Sequence, residues 1–235
     1  SITEFAPGSQ KTKDKAIHTA IGFTPPLVNR GNKWMPATDD PLQYKRWVQR
    51  CKTCNNISTS DLPLTDNSCP HCGQPEDEKH SFFQFQIAVP QAYRTDFSPG
   101  EDAKEDTDII VGTPSLLAES NSKVIESKQV GNCNISLSAD GRIWRINDNA
   151  GRLFEGSIIN YNGMKNQWIS SKHGGSPGEN IALAAGKTTE VLRIQPADIP
   201  FGLNLDPLYS YGAVKGAIYS AAFLLRRVLA GELDI

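Results

Sequence analysis

Short apolar runs alternate with polar residues along most of the chain, and Gly, Pro, Asn and Asp interrupt them every few positions, a pattern of strands and turns. Phe5-Ala6-Pro7-Gly8 reads as a turn, and residues 16–23 as a strand broken by Gly22. Phe82, Phe83, Phe85, Ile87 and Val89 make a dense aromatic and β-branched run that Pro90 stops, the composition of a core strand rather than of a stacking platform for bases. Further strand-like segments fall at 123–125, 135–137, 142–146, 153–154, 158–159 and 189–194. Asp140-Gly141, Asp148-Asn149, Asn162-Gly163 and Gly174-Gly175 separate them and read as hairpin turns.

Two stretches carry a helical pattern instead. Asp39-Asp40-Pro41 predicts the cap of a short helix with Tyr44 and Trp47, three apart, on its buried side. Residues 213–230 repeat Val214, Ala217, Ile218, Ala221, Leu224, Leu225 and Val228 at helical spacing, with Gly231 as the stop. The side formed by Val214, Ile218, Ala221, Leu225 and Val228 is expected to pack on the β-rich body. The fold class expected is therefore α+β, a mostly antiparallel β body with a cysteine-rich insert and a C-terminal helix. The expected boundaries are 1–50 for a strand-rich first part, 51–79 for the insert, and 80–235 for the main β domain with its helix.

Composition narrows the function classes. The chain has 235 residues and a formal net charge of -2, so a general basic excess for binding phosphates is missing and any DNA contact must be a local patch. Acidic residues concentrate at 101–108, where Glu101, Asp102, Glu105, Asp106 and Asp108 face one opposing Lys104, the best linker candidate. No run approaches the roughly 20 apolar residues of a spanning helix and no signal-peptide pattern opens the chain, so a cytoplasmic protein is expected. It starts at Ser1 and stops within a helical pattern, as an excerpt of a longer polypeptide would.

The strongest chemical signal is a pair of cysteine pairs. Cys51 and Cys54 form one CxxC, Cys69 and Cys72 a second, with 14 residues between them. Two such knuckles supply four thiolates in a tetrahedron about Zn²⁺, and the second, within Cys69-Pro70-His71-Cys72-Gly73, fits a zinc ribbon better than a redox motif. Four protein ligands leave no open coordination position, so the expected role is structural. Cys133 stands apart and reads as a packing residue. Lys45, Arg46, Arg50 and Lys52 cluster at the first knuckle, where they could stabilise the thiolates or touch a phosphate backbone. Lys11, Lys13 and Lys15 read as a solvated strand edge.

An active site is not legible. GxxxxGK[ST], HExxH, GxSxG and the dinucleotide-binding glycine pattern are all missing. Ala185-Gly186-Lys187-Thr188 looks like the end of a phosphate loop, but Ile181 stands where the first glycine belongs. His18, His80 and His173 have no spacing that commits them to catalysis.

Several segments together resemble a known family. They are Glu4-Phe5-Ala6-Pro7-Gly8 with the lysine-rich strand, the two CxxC pairs, Tyr93-Arg94-Thr95-Asp96-Phe97, residues 141–147, Thr189-Glu190-Val191-Leu192 and the Ala-rich helix ending Leu233-Asp234-Ile235. This set is similar to the MrfA-type zinc-binding domain, in the form found in the DrmB component of the DISARM anti-phage systems. The resemblance implies a non-catalytic accessory module that works with a helicase-type partner on DNA, in defence or in DNA repair. It implies no catalytic residue. The DNA contacts expected on this chain are Arg46, Arg50, Lys52 and Arg94, the last with a competing role as partner of Asp96 or another carboxylate. A protein-interaction scaffold without DNA contact is the alternative.

Overall fold

The computed structural model describes residues 1–42, 44–53, 57–77, 81–96, 108–112, 114–118, 123–198 and 212–233. Its first half contains β1 (Gln10–Lys13), β2 (Ala16–Thr24), β3 (Leu27–Arg30), β4 (Lys33–Pro36), β5 (Tyr44–Cys51), β6 (Ile57–Ser60), β7 (Phe82–Val89), β8 (Ala92–Thr95) and β9 (Ser115–Ala118). The second half contains β10 (Val124–Val130), β11 (Cys133–Asn147), β12 (Phe154–Tyr161), β13 (Met164–Ser170), β14 (Glu179–Pro196) and the helix α1 (Gly212–Leu233).

Twelve strands share one sheet with the main path β1-β2-β13-β12-β14-β7-β5-β6. β11 lies along β14 and carries β9 and β10, β8 pairs with β2, and β3 with β4 forms a separate hairpin. β14 organises the sheet. Its first residues pair with β12, and from Leu183 to Pro196 it runs antiparallel to β11. The run Ile181-Ala182-Leu183-Ala184 is fully buried, and strand alternation divides it between two cores. Ile181 and Leu183 join Ile2, Ala6, Phe23, Leu42, Phe154 and Trp168, whereas Ala182 and Ala184 join Val48, Ile87, Leu117, Trp144 and Ile146. The N-terminal segment belongs to the first core and is tied there by Asn147, which donates from Nδ2 to the carbonyls of Ile2 at 3.0 Å and Val111 at 2.8 Å.

The expected α+β class does not hold. Among the described residues the protein is mostly β, with one long helix, and its sheet is mixed, because β14 pairs with β7 in parallel through Ile181 with Gln86 and Leu183 with Ala88. An α+β body needs a helical layer that seals a sheet face. Both of these clusters are instead built from strands, the N-terminal segment and Leu42 of the turn before β5. α1 supplies no such layer: Leu225 is 41% and Val228 52% exposed, Ala221 is exposed, and Phe223 and Leu224 are also open. The helix also passes Gly231 and ends at Leu233.

Two local expectations change for physical reasons, and a third holds. Asp40 does accept a backbone hydrogen bond, from the Leu42 amide at 2.7 Å, but the chain then enters β5 instead of a helix, so Tyr44 and Trp47 lie on opposite faces. Asp140-Gly141 is no hairpin turn. It sits inside β11 where the register against β14 shifts between Ser138 and Gly141, a bulge that lets one long strand replace two short ones. Asn162-Gly163 does close a two-residue hairpin, with φ of 46° and 77°, between the paired residues Tyr161 and Met164. Phe82–Val89 is a strand as expected; residues 16–23 are also a strand, but it runs unbroken through Gly22 to Thr24, with only a register shift against β8 between Ala20 and Gly22.

Candidate metal centre and basic face

The first knuckle starts where β5 ends. Cys51 pairs across the sheet with Phe82, and both are buried with Cys69 in a small cluster that Leu64 covers. Beyond the strand the Lys52 amide donates to the Ser81 carbonyl at 2.7 Å, which holds the chain against β7 as it turns away. The second knuckle is closed by its own backbone: the Gly73 amide donates to the Cys69 carbonyl and the Cys69 amide to the Gln74 carbonyl, each at 2.8 Å. These bonds turn Cys69 and Cys72 back toward Cys51.

The three thiols converge, with sulfurs all within 4.8 Å of one another and Cys51 Sγ to Cys72 Sγ at 3.6 Å. Tetrahedral ligands bound at about 2.3 Å would stand roughly 3.8 Å apart, so the donor set fits a small thiophilic cation. Cys54, the fourth expected ligand, lies outside the described residues. His71 is exposed and is not part of the cluster, and Cys133 lies at the start of β11, paired with Val130 and Pro196.

The basic residues around the first knuckle divide by strand alternation. Lys45 shares the Cys51 face of β5 and is engaged with Glu179, Nζ to Oε2 at 2.7 Å. Arg46 and Arg50 are on the other face, with Val48, and Lys52 continues that side with its Nζ 5.4 Å from the Phe83 ring centroid. This geometry turns Arg46 and Arg50 away from the thiols. Arg46 Nε lies 3.5 Å from the highly exposed Asp61 carboxylate. Between Arg50 and β9 runs a groove of about 60 Å³ floored by Val48, Phe85 and Ile146, with Asp148 on its rim.

Arg94 is placed differently. It is buried, with Nη1 donating to Gln167 Oε1 at 3.0 Å and the guanidinium 5.9 Å from the Tyr161 ring centroid, and burial lowers its pKa from the ordinary arginine value. The same nitrogen lies 2.9 Å from Met164 Sδ, so an amide and a thioether meet this guanidinium. A phosphate would have to enter the body to reach it.

Lys11 binds Asp108 at 2.9 Å, which makes it a link to the end of the acidic segment, while residues 101–107 and His80 lie outside the described residues. Ala185-Gly186-Lys187-Thr188 lies within β14, a strand rather than a phosphate loop. A cavity of about 210 Å³ is lined by Pro7, Gly8, Arg152, Phe154, Ser171 and His173, among others. Ser171 donates there to Glu155 at 2.7 Å. Burial holds the His173 imidazole below its ordinary range; Asp96 opposes the effect and Lys172 adds to it.

Sequence patterns alone do not place Tyr44, Trp144 and Arg142 on the basic face. The Tyr44 and Trp144 rings stack with centroids 5.6 Å apart, and Arg142 Nη1 donates to Tyr44 Oη at 2.8 Å. Alternation in Arg142-Ile143-Trp144 was the available signal for a shared face, but nothing local points from there to Tyr44. Compared with protein-family models, with curated proteins and with solved structures, the chain matches none. Among the described residues, no helix is long and apolar enough to cross a membrane.

Proposed function

We propose that the chain is a zinc-containing, non-catalytic accessory module that engages DNA through Arg46, Arg50 and Lys52 and docks a helicase-type partner in anti-phage defence. One observation carries the reading: β5 ends in a thiol cluster on one face and presents Arg46 and Arg50 on the other. A closed thiolate site would fix the end of β5 and β7, and so the strand that displays the cations, without taking part in chemistry. The cysteine pairs select zinc among thiophilic metals, since two CxxC knuckles form a zinc ribbon. Arg94 is left out of the DNA set because it is buried.

The exposed apolar side of α1 favours a protein partner in addition to DNA, since Phe223 is 67% and Leu224 64% open. The test compares the parent with Arg46→Glu/Arg50→Glu in DNA binding and in pull-down of a co-expressed helicase partner, at two salt concentrations. Loss of DNA binding with the partner retained is expected. Loss of the partner with DNA binding intact would overturn the assignment and move this face to a protein interface, as in a scaffold without DNA contact.

A further inference from the structure

The sheet face that carries Arg46 also holds a cluster of rings and guanidinium groups with no part in the metal centre. Tyr44 lies over Trp144 with an interplanar angle of 24°, and the Arg142 guanidinium carbon is 6.0 Å from the Tyr44 ring centroid and 5.5 Å from that of Trp144. Arg46 Nη1 is 3.5 Å from Tyr44 Oη, the atom that already accepts from Arg142. Two cations therefore converge on one phenol oxygen. Trp144 is only 3% exposed and acts as the base of the stack, whereas Tyr44 is 37% exposed and is the ring that meets solvent. Along the same face, Phe83 and Phe85 stack 5.9 Å apart with Lys52 over Phe83, so rings and cations alternate from Tyr44 to Lys52.

We propose that Tyr44, Arg46 and Arg142 form a site for single-stranded DNA, with a base on the open face of Tyr44 and its flanking phosphates on the two guanidinium groups. The inference rests on the DNA reading of this face and adds the form of DNA it takes. An aromatic ring can stack only on a base whose own face is free, and in a duplex that face is covered by its neighbours. A flat ring held in place by Trp144 loses little freedom on binding, and stacking of this kind tolerates any base. Arginine keeps its charge throughout the accessible pH range and can meet a phosphate through two parallel N–H groups. The Asp61 carboxylate beside Arg46 is 89% exposed on its side chain and can move aside for a phosphate.

The test measures fluorescence anisotropy with an oligothymidylate of about 20 nucleotides and with a duplex of equal length, at about 50 and 200 mM salt. The parent is expected to prefer the single strand. Tyr44→Ala should weaken single-strand binding about five- to hundredfold and leave duplex binding nearly unchanged, while Tyr44→Phe retains most of the affinity. Arg142→Gln, which spares the Tyr44–Trp144 stack, should lower the salt slope by about one and serves where Tyr44→Ala fails to fold. Equal affinity for single strand and duplex, or parental binding by folded Tyr44→Ala, would overturn the inference while leaving the DNA reading in place. Binding to neither form would overturn both.

Discussion

Trp144 and Gly186 face each other in the antiparallel register of β11 and β14, and the indole lies so close over the glycine that a Cβ there would come within 2.6 Å of the ring. The missing side chain is what allows Trp144 to lie on the sheet and Tyr44 to stack above it. Gly186→Val should therefore push the indole outward, with a destabilisation of about 1–3 kcal/mol from overpacking. Urea titration checks the stability. Parental stability for this variant would show that the ring has room to move.

Metal content is the most direct measurement. Freshly purified protein should contain one zinc per chain, and Cys69→Ser should lose it, because a buried cluster of thiolates without a cation is strongly unfavourable. Chelation is expected to loosen the segment from Cys51 to Phe82 by several kcal/mol, read as faster amide exchange there. Elemental analysis that finds no zinc would refute the assignment.

Acid should weaken the fold through His173. Its pKa is depressed by burial in the folded state, so below about pH 6.5 the unfolded chain binds more protons than the folded one. Stability due to this group is fully present above that value, falls as the pH drops toward the folded pKa, and levels off below it. The difference in urea midpoint between pH 7.5 and lower pH should shrink in His173→Gln. An unchanged difference would assign the acid sensitivity elsewhere.

Leu225→Asp should leave the thermal midpoint of the β body nearly unchanged, within about 0.5 kcal/mol, because Leu225 is 41% exposed. The same change would cost several kcal/mol were the helix packed on the sheet. Differential scanning calorimetry distinguishes the two outcomes, and pull-down of the helicase partner reports whether this side of α1 is the docking surface.

Local chemistry made much of the candidate site legible from the chain alone. The CxxC spacings pointed to the convergence of Cys51, Cys69 and Cys72, and the second knuckle is a local structure, closed by bonds between near neighbours such as Gly73 to Cys69. A dense aromatic and β-branched run stopped by Pro90 located Phe82–Val89, and the helical period located most of α1, both being local signals. Neither signal says what covers the apolar side, which is why the helix was expected to be buried and is not. Only the tertiary structure decided which cations share a face. Arg94 and Arg46 are equally basic residues in strands, yet one is enclosed beside Gln167 and the other reaches the surface beside Tyr44. Tyr44 and Arg142, 98 residues apart, meet because β14 runs past the end of its short pairing with β7 and carries β11 with it, a consequence of strand order and register. Sheet pairing joins segments without regard to their separation along the chain, so a face assembled from β5, β7 and β11 is invisible until the order of strands is known.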